Sequence, residues 1–251
     1  MQTVQRTSSP GLGTGRATLG WRELLVWACV GLFVVLLVGM LAMGGLIPPV
    51  VIAAVLFLAA GLLARRPGKA GPVMAIVLSV LFLALNAPFI APSLAVPAST
   101  TDFLFTVVAV IGTLVVLIAG VATLRVRKPA RTSAPRNLMA VTAGLLILAV
   151  GIAVVARLTF DSAVAAEGDL RLVAQDFEFS KDSITADGGE VTVFVENKDS
   201  TLHTFTVEEL DVDLQIPAGS AAKISFEASA GSYEFICVPH ESDMNGTLEV
   251  R

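Results

Sequence analysis

The sequence predicts a membrane protein in two parts: five transmembrane α-helices, followed by a small all-β sandwich in the last third of the chain. Of its 251 residues, 55% are hydrophobic, and the mean hydropathy of +0.79 is higher than soluble domains usually reach. The apolar residues are concentrated before residue 160. Short alternating runs separated by turn residues follow them, and this pattern is typical of strands.

Five segments of the first part have the composition of membrane spans. Each lacks Asp, Glu, Lys and Arg and is close to the roughly 20 residues that a helix needs to cross the hydrocarbon core. They are residues 24–45, 46–64, 72–91, 103–124 and 138–156. We therefore predict a tail at residues 1–23, a five-helix region at 24–157, a linker at 158–169 and a sandwich at 170–251.

The distribution of Lys and Arg predicts the orientation of the helices. Eleven such residues lie before the first helix and in the connections that follow the second and fourth helices, whereas the other two connections between helices have none. Because positively charged connections stay in the cytoplasm, the N-terminus is expected inside. Five crossings then place the C-terminal domain on the extracytoplasmic side of the cell membrane.

The two parts carry opposite charges. Residues 1–160 contain twelve basic and two acidic residues, whereas residues 170–251 contain sixteen acidic and five basic residues. The acidic surface of the second part could attract a basic protein partner, or it could be only a solvated face. We expect no nucleic acid as a partner. The helices lack an ionisable residue at mid-depth, which argues against a proton relay or an ion pump.

The predicted strands of the second part are short and closely spaced. They cover residues 170–179, 190–197, 202–209, 222–228, 231–237 and 246–250. Turn signals separate them, such as Asp187-Gly188-Gly189 and Pro217-Ala218-Gly219. This spacing in about 80 residues predicts a small antiparallel sandwich or barrel.

A set of metal-binding residue types lies in this domain. Both histidines of the chain, His203 and His240, occur there with Cys237 and Met244. The spacing C-x2-H-x3-M puts three of these donors on one tight loop, and His203 begins another predicted strand. Two imidazoles, one thiolate and a weak thioether suit a copper ion that changes between Cu(I) and Cu(II). The sequence therefore predicts one copper site with these four ligands.

The segments "NKDSTLHTFTV" (197–207) and "GSYEFICVPHESDMNGTLEV" (231–250) resemble those of the cupredoxins, the family of plastocyanin and azurin. The resemblance implies a Greek-key sandwich with one type 1 copper. It implies His203, Cys237 and His240 as strong ligands, Met244 as axial ligand, and His240 as the port for electrons. Many relatives have Gly before this His and before this Met. Here Pro239 and Asp243 stand there, so the ligand loop is short.

Other interpretations of the same residues exist. Each residue taken alone could be an ordinary core side chain, and zinc could use the three strong donors although a thioether is a poor ligand for zinc. A disulfide between Cys29 and Cys237 conflicts with the predicted topology, because the first lies inside the bilayer. A dinuclear copper centre would need a second Cys in the loop, but Cys237 is the single cysteine there.

These observations predict a membrane-anchored electron carrier that is not an enzyme. The expected partner is a redox protein such as a c-type cytochrome or a terminal oxidase, and no small-molecule substrate is evident. The helices contain no His, so they cannot supply His ligands to haem or to a copper catalytic centre. The alternatives are a protein for the capture, delivery or export of copper and a purely structural sandwich on an anchor.

Overall fold

The computed structural model describes residues 19–126 and 133–251. Most of the predicted tail and the middle of the connection after the fourth helix lie outside the described residues. The first part forms five helices, as predicted. They are α1 (Trp21–Ala42), α2 (Pro48–Ala64), α3 (Ala70–Ala95), α4 (Thr100–Arg125) and α5 (Ala134–Thr159).

Among the described residues, α1, α3, α4 and α5 are long and apolar enough to cross a membrane. Helix α2 is equally apolar but has 17 residues. At 1.5 Å per residue it is about 25 Å long, near the lower limit for a span. It is shorter than predicted because the chain leaves α1 at Met43 and begins α2 at Pro48, a residue suited to the first turn of a helix.

Helix α3 continues to Ala95, past residue 91, where the predicted span ends. Pro88 and Pro92 both lie inside the helix. Neighbouring polar side chains donate to carbonyl oxygens of the same helix: Asn86 Nδ2 to Phe82, and Ser93 Oγ to Phe89. Proline is more frequent in transmembrane helices than in soluble ones, so neither proline has to end this helix.

Helix α1 packs against α2 and α4. Its buried side chains, such as Leu25 and Leu36, pack with Phe57 of α2 and Val116 of α4. At the start of α1, the guanidinium of Arg22 donates to the carbonyl oxygens of Ala64, Arg66 and Gly68 at 2.7, 2.8 and 2.9 Å. The beginning of α1 therefore lies beside the end of α2.

The second part is a sandwich of two sheets. Its strands are β1 (Leu170–Gln175), β2 (Glu178–Phe179), β3 (Ser183–Ala186), β4 (Gly189–Asn197), β5 (His203–Val207), β6 (Val212–Ile216), β7 (Ala221–Ala228), β8 (Gly231–Ile236) and β9 (Asn245–Val250). One sheet has the order β2-β1-β4-β7 and the other β3-β9-β8-β5-β6.

The sandwich differs from the prediction in three respects. Strands β3 and β6 were not predicted, and the first predicted strand is interrupted at Asp176 and Phe177, whose φ angles are +56° and +64°. The expectation of a purely antiparallel arrangement is wrong, because β1 pairs with β4 and β3 with β9 in parallel. Alternation of side chains reports burial of one face and does not give strand direction.

Aromatic side chains fill the core between the sheets. The ring of Phe235 lies 5.2 Å from the rings of both Phe179 and Phe205, measured between centroids. Cys237 and Met244 belong to the same buried cluster. The core thus continues directly into the loop that carries the predicted ligands.

Candidate metal centre

Two neighbouring strands bring the predicted ligands to one end of the sandwich. His203 is the first residue of β5, and Cys237 follows the last residue of β8. These strands pair with Thr206 opposite Ile236. The loop between β8 and β9 then carries His240 and Met244.

Backbone hydrogen bonds fold this loop. His240 N donates to Cys237 O at 2.8 Å, Met244 N donates to His240 O at 2.9 Å, and Cys237 N donates to Met244 O at 2.8 Å. Pro239 lies within a one-turn 3₁₀ helix, Val238–His240. The loop therefore returns Met244 to the residue from which it started, and Met244 is fully buried.

His203 and Cys237 have the spacing of two ligands of one ion. Both side chains are fully buried, and His203 Nδ1 lies 3.5 Å from Cys237 Sγ. Nitrogen and sulfur bound to one ion at about 2.0 and 2.3 Å are about 3.5 Å apart when the angle between the bonds is near tetrahedral. The thiol sulfur also accepts a hydrogen bond from Thr204 N at 3.3 Å. This pair of donors fits a soft metal ion.

His240 lies beside this pair. Its ring centroid is 5.2 Å from that of His203 and 4.8 Å from that of Phe177. The centroids of the Phe177 and His203 rings are 6.0 Å apart. Across residues 19–126 and 133–251, no three or more His, Cys, Asp or Glu side chains are arranged so that they could hold a metal ion. The structure thus brings two strong donors to ligand spacing and a third close to them, so the complete ligand set stays a prediction.

Burial controls the protonation of these groups. It raises the pKa of the Cys237 thiol to about 11 and lowers the pKa of His240 to about 4. It also lowers the pKa of His203, although the neighbouring Asp199 opposes this effect. Neutral imidazoles are the forms that bind metals, and a cation would stabilise the thiolate that burial disfavours.

Asp199 is a site residue that the sequence analysis missed. Its Oδ2 lies 2.8 Å from His203 Nε2, and its carboxylate accepts hydrogen bonds from the backbone N–H groups of Asp176 and Phe177 at 2.8 and 3.1 Å. Although burial raises the pKa of Asp199, these bonds outweigh it and the pKa lies below the usual range. A charged Asp199 keeps the proton of His203 on Nε2, which leaves Nδ1 unprotonated towards Cys237.

Comparison with known proteins identifies the family of this domain. Residues 145–250 match the family model described as a cupredoxin-like domain. The last part of the chain is a cupredoxin-like domain. This confirms the resemblance noted in the sequence, as well as the fold class of a helical region followed by a β-sandwich.

Solved structures similar to the domain include amicyanins. The Cu(I) form of a methionine-to-alanine mutant of amicyanin is 22% identical, with coverage of 37% of this chain and 90% of that one and a TM-score of 0.31. Amicyanin from Paracoccus versutus (Thiobacillus versutus) is 17% identical over 35% of this chain and 85% of that one, with a TM-score of 0.30. No curated protein matches the chain.

Proposed function

We propose that the protein is a membrane-anchored type 1 copper protein that transfers single electrons on the extracytoplasmic side and transforms no substrate. The observation that carries this proposal is the separation of 3.5 Å between His203 Nδ1 and Cys237 Sγ in a fully buried pocket of a cupredoxin-like domain. Copper bound there supplies a couple between Cu(II) and Cu(I).

Each predicted ligand has a distinct part in this proposal. His203, Cys237 and His240 would bind the ion strongly, and Met244 would bind it weakly through its thioether. The backbone hydrogen bonds of the loop and the bond from His203 to Asp199 hold the donors in one arrangement. If the ligands move little when the ion changes its oxidation state, little reorganisation opposes the transfer of the electron.

Electrons would enter and leave near His240. This side chain is half-buried, and the neighbouring Val238 is 54% exposed, so an apolar patch is open to a partner. Exposed acidic residues lie on the same domain and would steer a basic partner, such as a c-type cytochrome or a terminal oxidase. They include Glu208, Glu209, Asp211 and Asp213.

The contacts of α2 support five crossings. The end of α2 lies beside Arg22 at the start of α1, whereas Pro48 at its beginning follows the end of α1. Helix α2 therefore runs the length of the bundle antiparallel to α1, despite its 17 residues. With the N-terminus in the cytoplasm, as the positive charges predict, the cupredoxin-like domain lies outside.

The test is a visible spectrum of the full chain, purified in detergent and loaded with Cu(II). We expect a strong thiolate-to-copper absorption that is lost in Cys237→Ser. Cys29→Ser is the matched control, because Cys29 is buried in the helical bundle and should not affect the spectrum. Absence of the absorption from the unmodified chain would refute the type 1 assignment.

Copper capture or delivery is the second candidate function. The observation that favours it is that the chain just after α1 approaches the site: a Cβ at Gly44 would lie 3.9 Å from the ring of Phe177, which packs on both imidazoles. Met43 precedes this glycine and could pass on Cu(I). A carrier of copper would exchange its metal with a chelator within minutes, whereas an electron carrier would retain it.

A further inference from the structure

Three helices contact the sandwich through hydrogen bonds at the same end of the bundle. Ser200 Oγ donates to Ala42 O at the end of α1 at 3.0 Å, and Arg157 Nη2 of α5 donates to Gly219 O at 3.0 Å. At the start of α4, Leu202 N donates to Asp102 Oδ2 at 2.8 Å. A fourth bond, at 3.3 Å, runs from Ala218 N to Ser99 Oγ.

These contacts converge on two loops. We call residues 198–202, which precede His203, the His203 loop, and residues 217–220 the Gly219 loop. Asn197 connects them, since its Nδ2 donates to Thr201 O and Ile216 O at 2.8 Å each and its backbone N–H donates to Ser220 O. Gly219 N also donates to Asp199 O at 3.1 Å. The two loops are therefore bonded to each other and to Asp199, whose carboxylate orients His203.

Asp102 is the central group of this contact. It is 6% exposed, and its Oδ2 accepts hydrogen bonds from Ser99 Oγ at 2.6 Å and from Leu202 N at 2.8 Å. The bond to Ser99 is local to the first turn of α4, but the bond from Leu202 comes from a residue 100 positions later and next to His203. A carboxylate is rarely buried unless it has such partners.

The charge of Asp102 also acts on the predicted metal ligand. The carboxylate of Asp102 accepts a hydrogen bond from the backbone of Leu202, the residue directly before His203. A negative charge close to a copper site favours the more highly charged Cu(II) over Cu(I).

We propose that the ligand end of the cupredoxin-like domain is docked on the ends of α1, α4 and α5, and that Asp102 is a positioning residue that sets the place and the electrostatic environment of His203. The helices then form a platform that orients the metal site. The electrostatic part of this proposal rests on the proposed copper function, whereas the docking does not.

The docking is tested without metal. In the full chain carrying Cys29→Ser and Cys237→Ser, the pair Ala42→Cys and Ser200→Cys is treated in membranes with a short bifunctional thiol reagent. The control pair is Ala42→Cys with Ser229→Cys, because Ser229 is exposed and lies beyond the end of β7 remote from the Gly219 loop. We expect the first pair to react at least about tenfold faster. Equal rates would overturn the docking, whatever the protein's relation to copper.

The role of Asp102 is tested by two substitutions. Asp102→Asn keeps an oxygen acceptor but loses the charge, so we expect an unchanged cross-linking rate and a higher reduction potential of the copper-loaded chain. Asp102→Ala loses both, so cross-linking should slow as well. Asp161→Asn removes an exposed carboxylate and should change neither measurement. A potential that is unchanged in both Asp102 variants would overturn the electrostatic role.

Discussion

Asp199 should control the affinity of the site for copper through the orientation of His203. The substitution Asp199→Asn preserves size but replaces one acceptor oxygen by a donor. The carboxylate faces three N–H groups: Asp176 N at one oxygen, and Phe177 N and His203 Nε2 at the other. In either orientation the amide must therefore turn its NH₂ group towards a donor.

The size of the effect follows from these contacts. A hydrogen bond to a charged group contributes about 1.5–3 kcal/mol, and loss of a group that orients a metal-binding histidine typically reduces metal affinity about 10–100-fold. The two estimates agree, because tenfold corresponds to about 1.4 kcal/mol. We expect the loss in Asp199→Asn to lie in this range, since the imidazole loses the charged acceptor that holds its proton on Nε2.

The assay is a competition titration of the full chain with a copper chelator. Asp187→Asn is the control, because Asp187 is exposed in the turn before β4. Its affinity should equal that of the unmodified chain. If Asp199→Asn binds copper within about threefold of that value, the hydrogen bond to His203 does not determine the affinity and the reasoning fails.

Three further predictions concern the axial ligand and the core. Met244→Leu should keep the thiolate-to-copper absorption but raise the reduction potential, because an axial thioether tunes the potential of such sites; an unchanged potential would show that Met244 is not a ligand. Phe235→Ala should lower the free energy of unfolding of the β domain by about 3–5 kcal/mol, because the side chain is fully buried. Denaturant unfolding measures this change, and a loss below about 1 kcal/mol would contradict the packing. Gly246→Ala should lower the free energy of unfolding by about 1–3 kcal/mol, because a Cβ there would overlap the Phe235 ring and lie 2.8 Å from Asp182 O. Gly144→Ala is the control, because a Cβ at that position would lie in open space and should change the stability little. Equal effects of the two substitutions would contradict this account.

The helices and the ligand loop were predictable because their signals are local. A charge-free apolar segment predicts a span, and C-x2-H-x3-M predicts one tight loop. In the structure the bond from Cys237 N to Met244 O closes that loop. Helix ends were less predictable. Ser99 and Asp102 form a local contact at the start of α4, in a stretch that the sequence analysis assigned to a connection.

The residues that orient the site were not predictable, because their roles depend on backbone conformation. Asp199 reaches the N–H groups of Asp176 and Phe177 because both of those residues have positive φ, which non-glycine residues rarely adopt. The same turn places the Phe177 ring against both imidazoles. No spacing in the sequence signals the contact of Asp199 with Asp176 and Phe177, which lie more than 20 positions before it.

The contacts of α1, α4 and α5 have a physical consequence for the orientation of the domain. One helix would tether the domain but leave its orientation variable, because a connection of about ten residues allows many arrangements. Here the ends of α1, α4 and α5 form hydrogen bonds with the two loops beside His203. The connection after α5 is also bonded to the sandwich, since Ala163 N donates to Ala221 O at 2.9 Å. Several fixed points determine an orientation, and under the proposed function an oriented site would present His240 and Val238 to a membrane partner in one geometry. Loss of the contact at Asp102 should therefore slow electron transfer to a membrane partner more than to a small soluble oxidant, which reaches the site from any direction.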